Sequence, residues 1–103
     1  MVNPNIRRVE ASDLPSIVGL WEEFVDFHSA RDWRLRRAPD ANQAFTAFLE
    51  GRLRDPGAAV WVAELGRTQV GYCLAILSEA PPVFLDRRHG EVCDLAVTAR
   101  FRR

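Results

Sequence analysis

Residues 94–103 read Asp94-Leu95-Ala96-Val97-Thr98-Ala99-Arg100-Phe101-Arg102-Arg103, an apolar segment that passes into a basic turn. Leu95 and Val97 are two residues apart, so they lie on one face of a β-strand. We expect both side chains to be buried. A carboxylate on a central strand is costly to bury without a partner, so Asp94 invites a functional explanation. The segment therefore predicts a core strand that carries a candidate functional carboxylate.

The same stretch resembles the central strand of the GNAT superfamily of acetyltransferases. In that family a strand of the form Asp-Leu-x-Val runs through a short connector and an aromatic residue into Arg-x-x-Gly-x-Gly. Asp94, Leu95 and Val97 match the strand. Phe101 matches the aromatic residue, and Arg102 matches the first residue of the glycine-rich signature, whose two glycines are missing. The resemblance implies the N-terminal part of a GNAT domain, and we expect a cut by an expression boundary, proteolysis or a gene error.

One long amphipathic helix is predicted near the start of the chain, over residues 12–29. Ser12 or Asp13 serves as its N-cap, and Pro15 is tolerated in the first turn. Its apolar residues recur at three- and four-residue steps and form one stripe: Leu14, Ile17, Val18, Trp21, Phe24, Val25 and His28. Three acidic residues are expected to face away from the core: Glu22, Glu23 and Asp26.

The remaining elements complete an α+β order. A second helix is predicted over residues 41–54, with four residues on its buried face: Phe45, Phe48, Leu49 and Leu53. Strands are predicted at residues 6–10, 60–65, 70–78 and 91–98, with a hairpin turn over residues 66–69. The order β-α-α-β-β-β is GNAT-like and belongs to the α/β (α+β) class. It implies a mainly antiparallel sheet, two N-terminal helices on one face and an incomplete C-terminal half.

The composition predicts a single domain over residues 1–103. Fourteen basic and fourteen acidic residues give zero net charge, which argues against a nucleic-acid or membrane partner. No apolar run approaches the roughly 20 residues that a membrane span needs, and the N-terminus lacks the apolar region of a signal peptide. Cys73 and Cys93 are too few for a disulfide framework, so we expect buried thiols in a cytoplasmic protein.

The resemblance implies direct transfer of an acetyl group from acetyl-CoA to an amine, with no covalent enzyme intermediate and no metal. In the family, main-chain groups around a bulge in the fourth strand hold the pantetheine arm and the thioester. By position these groups belong here to Leu95, Ala96 and Val97, and a plain core strand is the alternative interpretation. Arg102 and Arg103 are expected to contact a phosphate, and both equally suit a frayed chain end.

Direct attack by an amine requires a group that removes its proton. Asp94 and Glu91 are the candidate bases. For Asp94 the alternative is a position near solvent or a cap on a neighbouring loop. For Glu91 the alternative is a solvated position at the rim of the sheet. The family's usual general acid is a tyrosine on a later helix, whereas Tyr72 is expected in the core.

His28 and Trp33 are the candidate acceptor-binding residues. His28 ends the stripe of the first helix, where acceptor-binding groups cluster in the family, and a packed, partly solvated histidine is the alternative. Trp33 lies in a basic connector, residues 31–37, that is expected to border the acceptor pocket. Arginines and a stacking tryptophan also grip single-stranded nucleic acid, so that interpretation stays open, although acidic residues surround the connector.

Two functions are compatible with these patterns. The first is an N-acetyltransferase domain for a small-molecule or peptide amine, inactive alone because it lacks the pyrophosphate loop. The alternative is a non-catalytic binding or assembly module that keeps the scaffold. In the family, later elements cover the second face of the sheet. We therefore expect an open apolar face that pairs as a homodimer or is complemented by a C-terminal segment.

Overall fold

The computed structural model describes residues 3–102, which form two α-helices and four strands. In chain order they are β1 (Asn5–Arg8), α1 (Leu14–Ser29), α2 (Ala41–Arg54), β2 (Ala58–Leu65), β3 (Thr68–Glu79) and β4 (Arg88–Val97). The strands form one sheet in the order β1-β2-β3-β4, and each neighbouring pair is antiparallel. The predicted α+β order and the antiparallel sheet are confirmed.

Helix α1 begins two residues later than predicted, because the chain first makes a 3-10 turn over Ala11–Asp13. The carboxylate of Asp13 accepts a hydrogen bond from the backbone N–H of Glu10 at 2.8 Å, so it caps the turn and not the helix. Pro15 lies in the first turn of the helix, where the missing N–H costs nothing. Ile17, at 0% exposure, anchors the helix in the core. No helix in residues 3–102 is long and apolar enough to cross a membrane.

Helix α2 has the predicted bounds but a narrower buried face than predicted. Leu49 is fully buried, and Phe45 and Leu53 pack partly buried against the core. Phe48 is 42% exposed, so its prediction as a core residue is wrong. Its ring stacks on Phe45 with centroids 5.9 Å apart, and the guanidinium of Arg52 lies 4.9 Å from its centre. The ring therefore covers the helix surface and does not enter the sheet interface.

The β2–β3 hairpin is tighter than predicted. Leu65 pairs with Thr68, which leaves Gly66 and Arg67 as a two-residue loop. Gly66 has φ = 62°, a left-handed conformation that glycine adopts without steric cost. The tight loop pairs Glu64 with Gln69, and a bulge at Val70 then shifts the register by one residue, so that Val62 lies opposite Tyr72.

The two faces of the sheet differ sharply. The helices cover one face, where Val60, Val62, Tyr72 and Leu74 are each at most 3% exposed. In residues 3–102 the other face of the sheet is open. We call it the open face; its large apolar residues are Ile6, Trp61, Leu77, Val92, Leu95 and Val97.

Two burial predictions on β4 are wrong because of this open face. Leu95 is 66% exposed and Val97 is 37% exposed, whereas Ala96 between them is buried against the helices. The prediction of buried thiols is also wrong in part, since Cys73 is half-buried but Cys93 is exposed. Both thiols are free.

Candidate functional site

Strand β4 is the edge of the sheet in the described residues. The N–H of Thr98 donates inward to the carbonyl of Val70 at 2.8 Å. The preceding carbonyl, that of Val97, instead accepts from Nε of Arg102 at 2.6 Å, on the side away from β3. Main-chain groups alternate sides along a strand, so those of Leu95 also point away from β3. Unpaired main-chain donors therefore line the outer edge of β4 at the residues where the resemblance implies a pantetheine arm.

A β-bulge interrupts the pairing of β4 just before these residues. Leu74 pairs with Asp94 and Ala75 pairs with Val92, which leaves Cys93 as an extra residue. A bulge bends the strand and redirects the side chains that follow, and bulges are common beside active sites. The bulge that the resemblance implied for the fourth strand is thus present, directly before residues 94–97.

A cavity of about 330 Å³ opens between α1 and the end of β4. We call it the α1–β4 cleft; it is lined by Phe24, Phe27, His28, Leu95, Ala96, Val97 and Arg102. The cleft joins the C-terminal half of α1 to the edge of the sheet. It brings the predicted acceptor residue His28 together with four of the predicted acetyl-CoA residues.

The cleft continues toward the connector between the helices. A second cavity of about 410 Å³ is lined by Phe24, Val25, His28 and Leu35, and it shares Phe24 and His28 with the α1–β4 cleft. His28 packs edge-on against Phe24, with ring centroids 4.7 Å apart. His28 thus stands between the two cavities, exposed and held by an aromatic neighbour.

Asp94 lies half-buried on the helix-facing side of β4, on the same face as Ala96. Oη of Tyr72 donates a hydrogen bond to its carboxylate at 3.0 Å. Burial, followed by the nearby charge of Asp94, raises the pKa of Tyr72 well above its ordinary value, so the phenol stays protonated as a donor. At about 3.3 Å per residue, Asp94 lies roughly 7 Å along the strand from Ala96 in the cleft wall.

The other predicted site residues are not brought to the cleft. Glu91 is exposed and pairs with Ile76 before the bulge. Trp33 is 71% exposed in a 3-10 turn, Trp33–Leu35, and lines a separate cavity with arginines. The prediction for Arg103 lies outside the described residues.

Glu23 is a site residue that the sequence reasoning missed. Its carboxylate accepts from Oγ1 of Thr98 at 2.9 Å, from the N–H of Ala99 at 3.1 Å and from Arg102 at 3.2 Å. Glu23 thus lies away from the core, as expected, but it binds the turn that follows β4. The sequence feature that could have indicated this contact is an acidic residue on α1 together with the arginine-rich residues 100–103. Glu23 ties the turn after β4 to α1 and neutralises Arg102.

Phe27 is a second residue that the sequence reasoning missed. Its ring lines the α1–β4 cleft. The guanidinium of Arg31 lies 3.8 Å from the centre of the ring, and that of Arg102 lies 5.6 Å from it. Both distances fall within cation–π range. Phe27 comes three residues after Phe24 in the sequence, a spacing that indicated a continuation of the stripe. The wall of the cleft is therefore aromatic with cations on its rim.

The described residues fit one part of acetyl-CoA better than the other. The outer edge of β4 offers main-chain groups beside an apolar cleft, which suits the pantetheine arm and its thioester. After β4 the chain makes a three-residue 3-10 turn, Ala99–Phe101, whose first N–H already bonds to Glu23. A pyrophosphate requires several aligned free N–H donors. Residues 3–102 do not present that set.

No protein-family model matches the sequence, and no curated protein matches it by sequence. Solved structures match its fold. A tetramutant of the BH1408 protein from Bacillus halodurans has a TM-score of 0.77 at 19% identity, over 95% of this chain and 64% of that one. A predicted acetyltransferase with acetyl-CoA from Clostridium acetobutylicum has a TM-score of 0.71 at 16% identity, over 96% and 62%. A GCN5-related N-acetyltransferase from Ralstonia eutropha has a TM-score of 0.70 at 23% identity, over 96% and 65%.

These structures show that the chain has the fold of the GNAT acetyltransferases, as residues 94–102 predicted. At identities below 25% the likeness establishes the fold and not the chemistry. The chain spans less than two thirds of the length of each of the three structures. Its catalytic activity, its substrates and its partners are therefore matters for proposal.

Proposed function

We propose that this chain forms the acetyl-transfer centre of an N-acetyltransferase that acts on the amine of a small molecule or peptide. The observation that carries the proposal is the α1–β4 cleft. It sets the unpaired edge of a bulged strand against an aromatic wall that includes His28. This arrangement suits a thioester on one side and an amine on the other.

Each side of the cleft has its own role in this proposal. Acetyl-CoA supplies the acetyl group as a thioester, and attack by the amine forms the C–N bond while the C–S bond breaks. The outward N–H groups of Leu95 and Val97 bind the arm and donate to the thioester oxygen as it gains negative charge. His28 and Phe24 position the amine.

Asp94 is the proposed base, and Glu91 is the second candidate. The carboxylate takes the proton that the amine loses and passes it to the departing thiolate. Tyr72 holds the Asp94 carboxylate by its 3.0 Å hydrogen bond. Asp94 is favoured because it follows the bulge and lies close to the cleft, whereas Glu91 precedes the bulge and is exposed.

We propose low activity for residues 1–103 alone, with Arg102 and Arg103 as the phosphate-side residues. Arg102 is bound to Glu23, and the free N–H donors that a pyrophosphate needs are not found in residues 3–102. We also propose that residues 1–103 form a single domain and that the protein acts in the cytoplasm, where acetyl-CoA is available.

One observation favours the second candidate function, a non-catalytic binding module. Glu23 bonds to both the N–H of Ala99 and the guanidinium of Arg102, the two donors that a phosphate would use. Because Glu23 occupies both donors, a protein of this kind would retain the fold but would not bind the phosphates of acetyl-CoA.

Acetyl transfer from S-acetyl-N-acetylcysteamine separates the two candidates. This thioester keeps the end of the pantetheine arm and has no pyrophosphate. The proposal predicts acetylation of primary amines above the uncatalysed rate, detected by thiol release and mass spectrometry. Replacing a general base costs about 10²–10⁴-fold, so Asp94→Asn abolishes the measurable excess. Glu91→Gln tests the second candidate base in the same assay.

Glu50→Gln is the control, because Glu50 is an exposed residue of α2 far from β4 in the sequence. It keeps the full rate. A rate equal to that of the uncatalysed reaction in the unmodified chain supports the binding module instead. An Asp94→Asn rate equal to that of the control shows that Asp94 is not the base.

A further inference from the structure

We propose that the acceptor amine also carries an anionic group, a carboxylate or phosphate, and that Arg36 binds it beyond the connector end of the α1–β4 cleft. The inference rests on the proposed function and names the class of its substrate. Arg36 lies next to Leu35, which lines the continuation of the cleft. The acceptor would therefore have an amine at one end, an apolar body and an anion at the other end.

The 3-10 turn Trp33–Leu35 contributes to two cavities at once. Leu35 faces the apolar cavity that also contains His28. Trp33 lines a separate cavity of about 360 Å³ on the same turn, together with Arg34, Arg36 and Arg37. A ligand whose amine lies beside His28 therefore passes Leu35 before it reaches the arginines. Such a ligand would meet the polar His28 first, then the apolar Leu35 and last the cationic arginines.

The charges of two of these arginines are neutralised within the protein. Arg34 makes two hydrogen bonds to the carboxylate of Asp32, at 2.8 and 2.9 Å. Arg37 binds the carboxylate of Asp26 at 2.9 and 3.1 Å and lies 3.7 Å from that of Glu22. Each of these guanidinium charges is compensated by a neighbouring carboxylate, so neither is free to pair with the anion of a ligand.

Arg36 is different. Its Nε donates to the main-chain carbonyl of Trp33 at 3.2 Å, and its guanidinium lies 6.0 Å from the centre of the Trp33 ring. Within residues 3–102 no carboxylate lies within salt-bridge distance of it. An arginine fork without a carboxylate matches a planar carboxylate or a phosphate and binds it by two parallel hydrogen bonds.

Trp33 supplies the second recognition element. It is 71% exposed beside Arg36, although burial of its ring would be strongly favourable. An indole at a cavity wall offers a flat apolar surface on which a ligand can stack. The indole stacks on the apolar body of a ligand whose anion reaches Arg36.

The same charges disfavour a polycationic acceptor. Arg31 also lacks a carboxylate partner in the described residues, since its guanidinium lies over Phe27 and bonds to the Phe27 carbonyl at 2.8 Å. The approach to the cleft thus carries two uncompensated cations, Arg31 and Arg36. A ligand with several ammonium groups meets repulsion there.

Binding of defined probes without acetyl-CoA tests the inference. We choose the dipeptide phenylalanyl-leucine with a free carboxylate, the same dipeptide as its C-terminal amide, and spermidine. Calorimetric titration is expected to give roughly tenfold tighter binding of the free dipeptide than of its amide, because one charge-assisted contact is lost. Arg36→Gln removes that preference and leaves binding of the amide unchanged. Arg54→Gln, at another exposed arginine, keeps the preference.

A spectroscopic measurement on the unmodified protein makes the test independent of whether Arg36→Gln folds. The indole N–H resonance of Trp33 is expected to shift with the free dipeptide and to stay in place with spermidine. Equal affinity for dipeptide and amide, tighter binding of spermidine, tighter binding of a single-stranded oligonucleotide, or no binding of any probe overturns the inference. Anion-dependent binding in a chain that transfers no acetyl group overturns the proposed function and leaves this site standing.

Discussion

Tyr72 of β3 donates its hydroxyl hydrogen to the carboxylate of Asp94 on β4, with 3.0 Å between the oxygens. Tyr72 is 3% exposed and belongs to the core, whereas Asp94 is half-buried at the sheet edge. The bond therefore fixes a candidate catalytic carboxylate to the rigid part of the fold. A residue on an edge strand next to a bulge gains a defined position in this way.

Tyr72→Phe removes this hydrogen bond and keeps the ring. We expect the free energy of unfolding at pH 7 to fall by about 1 kcal/mol, the usual net contribution of such a bond. The raised pKa of Tyr72 in the folded state contributes stability that is present below about pH 10 and lost as pH rises above that value. The difference between the two proteins should therefore shrink on the alkaline side. Urea unfolding at pH 7 and above pH 10 measures it, and an unchanged difference contradicts the account.

Asp13→Asn tests the ionic anchor of β1. Arg7 donates to both carboxylate oxygens of Asp13, at 2.7 and 2.8 Å, and Gln69 donates to it at 2.7 Å. Because Arg7 is one-third exposed, we expect a loss of only about 1–2 kcal/mol at pH 7.

The pH dependence of that loss follows from the same contacts. The Arg7 guanidinium, aided by hydrogen bonds from Glu10 and Gln69, holds the pKa of Asp13 well below its ordinary value. The stability it contributes is present above about pH 4 and is lost as pH falls below that value. Acid unfolding should thus be less pH-dependent in Asp13→Asn than in the unmodified chain and in the control Glu50→Gln. Parallel acid curves for all three proteins would be evidence against the anchor.

Glu23→Gln tests whether the Glu23 carboxylate competes with a phosphate of coenzyme A for Arg102. The substitution removes a negative charge and releases Arg102, so we expect coenzyme A to bind about three- to tenfold more tightly. Titration calorimetry measures the change. Glu22→Gln on the same helix serves as the control, since Glu22 lies near Arg37 instead. Weaker binding in Glu23→Gln would show that the carboxylate supports the site.

The open face predicts self-association. A hollow of about 220 Å³ on this face is lined by residues that include Ile6, Trp61 and Leu95. We expect a homodimer or larger species by sedimentation at about 100 µM, because exposed apolar patches and unpaired edges favour pairing. Leu77→Ser should shift the protein toward monomer, and Leu85→Ser, in a loop where the side chain is 96% exposed, should not. A stable monomer that binds no dye for apolar surface would contradict this prediction.

Local sequence signals predicted the elements well. Helix α2 has the predicted bounds because Asp55-Pro56-Gly57 stops it. The prediction that Leu95 and Val97 are buried failed, since alternation along a strand tells which residues share a face and not what covers it. Whether a face of the sheet is buried depends on other elements that pack on it, and the sequence of the strand itself does not specify them.

The sequence indicated only part of the α1–β4 cleft and its contacts. The resemblance gave residues 95–97 and Arg102, and the end of the apolar stripe gave His28. The contact of Glu23 with Arg102 joins residues 79 positions apart, and the contact of Tyr72 with Asp94 depends on the register beside the bulge. Such pairs follow from the packing of α1 on the sheet, which no local pattern specifies.

The most direct test of the central claim is a ¹⁵N amide NMR titration of this chain with acetyl-CoA. We expect binding weaker than about 1 µM, since the pyrophosphate finds few donors in residues 3–102. The amide resonances of Leu95 and Val97 should move together with those of Phe27 and His28, and S-acetyl-N-acetylcysteamine should move the same set. Shifts confined to other parts of the fold, or none at these four residues at millimolar ligand, would contradict the claim that the edge of β4 holds the thioester.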